Sequence, residues 1–223
     1  MADDDDRSGM VKIVGVVLLP VTSLFVVLRC YVRGVVAKAF GWDDGLMVLT
    51  MILEIPMTVL LIKGSSEYGL GQKLANLTAH QRVQGMKYNF IFMFILSAAG
   101  LCYRVSICIF LLRIAVNPIQ RRILQFIILL VVTSSLVMGI TLSAICKPVE
   151  YFWTQMLFDP AIEGSCNIGA GFCAMVFSCV SWAICDLALG IIPSIIVSDL
   201  QMSRLLRLTL AALLSLAGMQ VFP

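Results

Sequence analysis

Charge is scarce in this chain. Only 13% of its 223 residues are Asp, Glu, Lys or Arg, 60% are hydrophobic, and mean hydropathy is +0.99. A soluble domain so poor in charge would not stay dispersed, whereas helices facing lipid need that balance. Histidine is scarcer still. The one copy, His80, falls between apolar stretches, so neither a His-rich metal site nor a Ser–His pair can be assembled inside a membrane. No lysine lies deep in an apolar stretch; Lys63 and Lys87 stand at the ends of theirs, which excludes a retinal Schiff base. Tyr68-Gly69-Leu70-Gly71 has the glycines of an intramembrane aspartyl protease motif, but Gln72 stands where the aspartate is needed. A net charge of +3 gives no reason to expect nucleic acid. The expectation is a non-enzyme with no metal and no cofactor.

What is abundant is long apolar runs. Six stretches, approximately 10–32, 44–62, 88–112, 123–146, 169–197 and 205–222, fill most of the chain, and about 20 residues cross a bilayer core. The sixth is short. These runs predict one all-α polytopic transmembrane bundle over 10–223, preceded by a solvated acidic tip, 1–9, holding Asp3 to Asp6. That acidic start is unlike a signal peptide, so the first stretch reads as a retained helix. Pro20, Pro56 and Pro193 fall inside stretches and mark kinks, since neighbouring helices re-satisfy the carbonyls they free.

Orientation rests on three signals. Connections after the odd-numbered stretches hold Arg29, Arg33, Lys38, Arg113, Arg121, Arg122, Arg204 and Arg207, compatible with a cytosolic face. Asn76-Leu77-Thr78 is a glycosylation sequon on the opposite face. Cys146 and Cys166 bracket a loop on that same face; either a disulfide pins it or two unrelated thiols sit at membrane boundaries. All three place the amino end outside, most simply at the plasma membrane. The other cysteines read as apolar packing residues, and basic residues at helix ends read singly as anchors to anionic lipid headgroups.

Glu54, Arg104 and Asp186 interrupt three of the stretches. A charge at the centre of a spanning helix costs roughly 2.5–3.5 kcal/mol on insertion scales, so each needs a partner or a role. Counting inward from Asp44, Arg113 and Val197 places them about 15, 14 and 16 Å deep. Two readings follow: three groups tolerated independently, or one buried cluster joining the second, third and fifth helices. The cluster is preferred because an unpaired arginine at that depth is the costliest arrangement.

In order along the chain stand Arg29-Cys30-Tyr31-Val32-Arg33, the helix-opening Gly41-Trp42-Asp43-Asp44, and Tyr68-Gly69-Leu70-Gly71. Arg104-Val105-Ser106-Ile107, Arg113-Ile114, Cys146-Lys147-Pro148 with Trp153 and Cys166, and Asp186 with Pro193 follow. This succession resembles the fungal rhodopsin-domain family, whose members include appressorial-type orphan receptors with seven helices. Arg104 replaces the more usual lysine, keeping charge but exchanging a point donor for a planar fork. The resemblance implies a receptor-like sensor of an extracellular ligand, signalling through cytosolic loops to a partner, without retinal. It also implies a missing seventh helix, with the chain truncated in its sixth. A transporter or channel-like bundle, with Glu54, Arg104 and Asp186 along a polar path, and a non-functional truncated product are the alternatives.

Overall fold

The computed structural model describes residues 8–36, 38–69, 77–115, 117–154 and 164–199. Its elements run α1 (Ser8–Tyr31), a π-helical turn (Val32–Val36), α2 (Trp42–Glu67), α3 (Ala79–Ile114) and α4 (Pro118–Ala144). Then come β1 (Cys146–Lys147), the single turn α5 (Tyr151–Thr154), β2 (Ser165–Cys166) and α6 (Ile168–Asp199). Among the described residues five helices are long and apolar enough to cross a membrane. The protein is an all-α membrane helix bundle. The expected sixth span, 205–222, lies outside the described residues, as do Asn76, Gln72, Arg204 and Arg207.

Successive spanning helices run antiparallel because each crosses the layer in the opposite sense to the one before it. The core sits where α3, α4 and α6 meet, around Ile107, Cys108, Leu111, Leu124, Ile127, Val131, Cys185 and Leu189. On α6 the buried positions Ala174, Ser178, Ser181, Cys185 and Leu189 recur at intervals of three and four, one helical face. Small side chains there let α4 approach closely enough for Ser178 Oγ to donate to the Ser134 carbonyl at 3.3 Å. The opposite faces present Phe172, Val176, Val180, Ile184 and Leu187, as lipid contact requires. Of the cysteines expected to pack as apolar residues, Cys108 and Cys185 are buried, whereas Cys173 and Cys179 are exposed.

Helix α3 begins nine residues earlier than the apolar stretch that announces it. Its first turns carry His80, Gln81, Arg82, Gln84 and Lys87, so hydropathy alone starts the span late. The start is set by capping instead. Thr78 Oγ1 accepts from Gln81 N at 3.3 Å, and Gln81 Oε1 accepts from Thr78 N at 3.0 Å, a reciprocal capping box. At 36 residues α3 is about 54 Å long and overshoots a 30 Å hydrocarbon layer.

Beyond that layer the disulfide Cys146–Cys166 closes the loop from α4 to α6, with β1 and β2 antiparallel across it. Turn α5 folds back onto the α3 extension. Phe90 meets Phe152 at 5.1 Å and Trp153 at 5.8 Å, and Lys87 Nζ lies 5.7 Å from the Trp153 ring. Tyr68, just past α2, lies 4.8 Å from Tyr88, and their hydrogen bond, with burial second, raises the Tyr68 phenol above its ordinary range.

Candidate functional site

Two contacts fix how α3 lies against α2. At the disulfide end Gln81 Nε2 donates to the Glu67 carbonyl at 3.4 Å. At the arginine-rich end Ser106 Oγ donates to the Asp43 carbonyl at 2.6 Å. These anchors are 24 residues apart on α2 and 25 apart on α3, so one antiparallel register holds along the whole pair.

That register revises the depth count. Asp44 and Arg113 do not share a level; α3 continues seven residues, about 10 Å, past the level where α2 begins. Arg104 therefore lies only about 3 Å above Asp43 along the bundle axis, while Glu54 lies about 16 Å above it. The three ionisable groups are not brought together. Glu54 faces α1, where Thr22 Oγ1 donates to its Oε1 at 3.1 Å. Arg104 and Asp186 do meet, through two parallel bonds: Nε to Oδ1 at 3.0 Å and Nη2 to Oδ2 at 2.8 Å. Bidentate geometry of this kind is the strong form of an arginine–carboxylate pair.

Arg104 is almost fully buried, at 2% exposure, and Asp186 retains 20%. The third guanidinium nitrogen, Nη1, donates to the Gly100 carbonyl at 3.3 Å, and Cζ lies 5.0 Å from the centroid of the Trp182 ring. A planar fork uses all these partners at once, which a lysine could not. Trp182 Nε1 is buried beside the pair without an acceptor among the described residues.

A second charged constellation was half legible. Asp43 and Asp44, noted above with Trp42 as opening a helix, are completely buried, while Trp42 itself is exposed. Arg29 reaches both acids, Nη2 to Asp43 Oδ2 at 3.2 Å and Nε to Asp44 Oδ1 at 3.1 Å. Arg33 does the same, Nη2 to Asp43 Oδ2 at 3.1 Å and Nε to Asp44 Oδ2 at 2.9 Å. Arg113 Nη2 adds a contact to Asp43 Oδ1 at 3.1 Å. Asp44 Oδ2 also accepts from Gly41 N at 3.1 Å, capping α2. The guanidinium carbons of Arg29 and Arg33 lie 4.7 and 5.4 Å from the Phe110 ring.

Every charge in this cluster suits its helix end. Asp43 and Asp44 occupy the first turn of α2, where the backbone dipole is positive, and Arg29 and Arg113 the last turns of α1 and α3, where it is negative. Side chains also tilt toward the helix N-terminus, so Arg113 leans back up toward Asp43. For Arg29 and Arg33 this replaces the headgroup-anchor reading with partners inside the protein. The signal available in the sequence was adjacent acids opening a helix at the end where neighbouring helices finish on arginine.

Helix α3 carries both sites on opposite faces. Ser106, Phe110 and Arg113, spaced four and three apart, face α1 and α2. Arg104, nine residues from Arg113 and hence half a turn out of phase, faces α6. The fungal rhodopsin domain matches residues 28–222. The chain belongs to that family. No curated protein matches the chain, and neither does any solved structure. The fungal rhodopsin match takes in both charge constellations and the disulfide, and so nearly everything that carried the resemblance. Among the described residues of this fungal rhodopsin domain no group of His, Cys, Asp and Glu could hold a metal ion.

Proposed function

We propose that this fungal rhodopsin domain is a receptor-like sensor in the plasma membrane, with its amino end and disulfide loop outside. An extracellular cue alters the surroundings of Arg104 and Asp186. The cytosolic segments Arg29–Asp44, Arg113–Arg122 and Asp199–Arg207 pass the change to a signalling partner. Asn76 on the outer side is a candidate for glycosylation. The reading assigns no catalytic step and no cofactor.

One observation carries it: a single helix, α3, holds a buried ion pair on one face and an ion cluster on the other. A rigid rod with an ion pair on its α6 face and a charge cluster on its α1–α2 face can transmit a small displacement, because packed interfaces repack between discrete arrangements rather than deforming continuously. The transport alternative loses support because Glu54 turns to Thr22 on α1 while Arg104 turns to Asp186 on α6, so the two do not border one interhelical space.

The test has two arms. Impermeant biotinylation of intact cells should reach an introduced lysine beside Cys166 and not one beside Arg121; the reverse pattern would exclude the proposed orientation. Solute flux into reconstituted vesicles should be absent and indifferent to Asp186→Asn. Movement abolished by that change would replace sensing with transport.

A further inference from the structure

We propose that Arg113 is a releasable latch that closes the α2–α3 contact at the arginine-rich end of the bundle. The five charged residues of the cluster are not equivalent. Three cations face two anions, so one guanidinium is surplus to neutrality; Arg29 and Arg33 each bridge both acids, whereas Arg113 contacts Asp43 alone. Withdrawing Arg29 or Arg33 removes contacts to both buried carboxylates at once, the costlier way to break the cluster. Withdrawing Arg113 removes one contact and leaves a neutral cluster in which both acids keep two arginine partners.

Geometry singles out the same residue. Side-chain exposure is 23% for Arg29 and 17% for Arg33, but 45% for Arg113. Arg29 and Arg33 make aligned hydrogen bonds to the acids. Arg113 approaches Asp43 Oδ1 to 3.1 Å as an ion pair only, and that buried oxygen has no hydrogen-bond partner among the described residues. Its attachment is thus mainly electrostatic and partly open to solvent, the kind that screening weakens most.

The seat is nevertheless built. A Cβ on Gly41 would lie 2.6 Å from Arg113 Nη1, nearer still to Nη2, and 2.8 Å from Asp43 Oδ1. Gly41 has an extended backbone, φ −141° and ψ −178°, which any residue can adopt. Its lack of a side chain therefore serves the seat and not the chain path. Alanine there acts as a wedge between Arg113 and Asp43 without altering any charge. With the latch open, the first turn of α2 and the last turn of α3 are freed from one another, while Ser106 still holds the Asp43 carbonyl and Ile107, Cys108 and Leu111 stay packed against α4 and α6.

The inference does not depend on the receptor reading, since it concerns the resting protein alone. The test is hydrogen–deuterium exchange of the full chain in nanodiscs, followed over residues 41–46 and 106–114, with α4 and α6 as internal references. Arg113→Ala and Gly41→Ala should each speed exchange in both segments about fivefold or more, leaving the references unchanged. The double variant should match either single one, because both remove the same contact. In the unaltered protein, raising salt should speed the same two segments, and Arg113→Ala should abolish that salt response. Unchanged exchange in Arg113→Ala, additive effects in the double variant, or acceleration spread equally through α4 and α6 would each overturn the latch. Should Gly41→Ala not fold, the salt response of the unaltered chain against Arg113→Ala still decides.

Discussion

Ser106 Oγ donates a 2.6 Å hydrogen bond to the Asp43 carbonyl, and that contact sets the level at which α3 meets the start of α2. Both residues are fully buried, so the carbonyl has no water to replace the hydroxyl. Removing the donor in Ser106→Ala should cost about 0.5–1.5 kcal/mol, the net worth of one hydrogen bond, since the carbonyl keeps its partner within α2. Thermal unfolding in detergent checks it. An unchanged midpoint would mean the register is held elsewhere.

The Arg104–Asp186 pair should behave as a buried ion pair. Asp186→Ala strands the guanidinium and should lose about 3 kcal/mol, the low end for such a break because Asp186 is partly exposed. Replacing both partners, Arg104→Met with Asp186→Leu, should recover most of that loss, since a packed apolar pair carries no desolvation penalty. Comparing unfolding midpoints of the single and double variants measures it. Equal losses in both would show that packing, not charge, is at stake.

Charge exchange separates the two acids. Arg104→Glu should lower the yield of folded protein, and adding Asp186→Arg should restore part of it, because those side chains face each other. Adding Glu54→Arg should restore nothing, because Glu54 faces Thr22 on another helix. Size-exclusion chromatography of tagged protein gives the yields. Rescue by the Glu54 change would contradict the register.

Glu54→Gln keeps an oxygen acceptor for Thr22 and should shift stability by less than about 0.5 kcal/mol. Glu54→Leu removes that acceptor and relieves the cost of a polar group facing α1, so it should be neutral to stabilising. Parallel melts decide between these and a structural role for the carboxylate.

The Cys146–Cys166 bridge spans 20 residues and should contribute about 3 kcal/mol by restricting the unfolded loop. Cys146→Ser should show that loss, and non-reducing peptide mapping should find the two cysteines linked. Free thiols at both positions would remove the bridge.

Much of the architecture was legible from composition. Runs of some twenty apolar residues, with few charges inside them, read as helices crossing lipid, because no water is available there to satisfy an open backbone. Cys146, Cys166, Asp186 and Arg104 were likewise visible as residues needing partners. The start of α3 was not, because a polar helical extension has no hydropathy signal and is marked only by the Thr78–Gln81 box.

Pairing was the part left undecided. Counting residues from each helix end assumes that all helices end at one level, and a chain of spans does not encode the offset between them. The offset comes from side-chain contacts such as Ser106 with Asp43, distant in sequence and specific to the packed state. Hence the residue types settled that three ionisable groups lie in the membrane. Only packing decided that Arg104 meets Asp186, that Glu54 turns to Thr22, and that Asp43 and Asp44 gather three arginines. Burial of charge is a local demand that sequence displays; the partner that meets it is a matter of register and rotation, which emerge when helices pack.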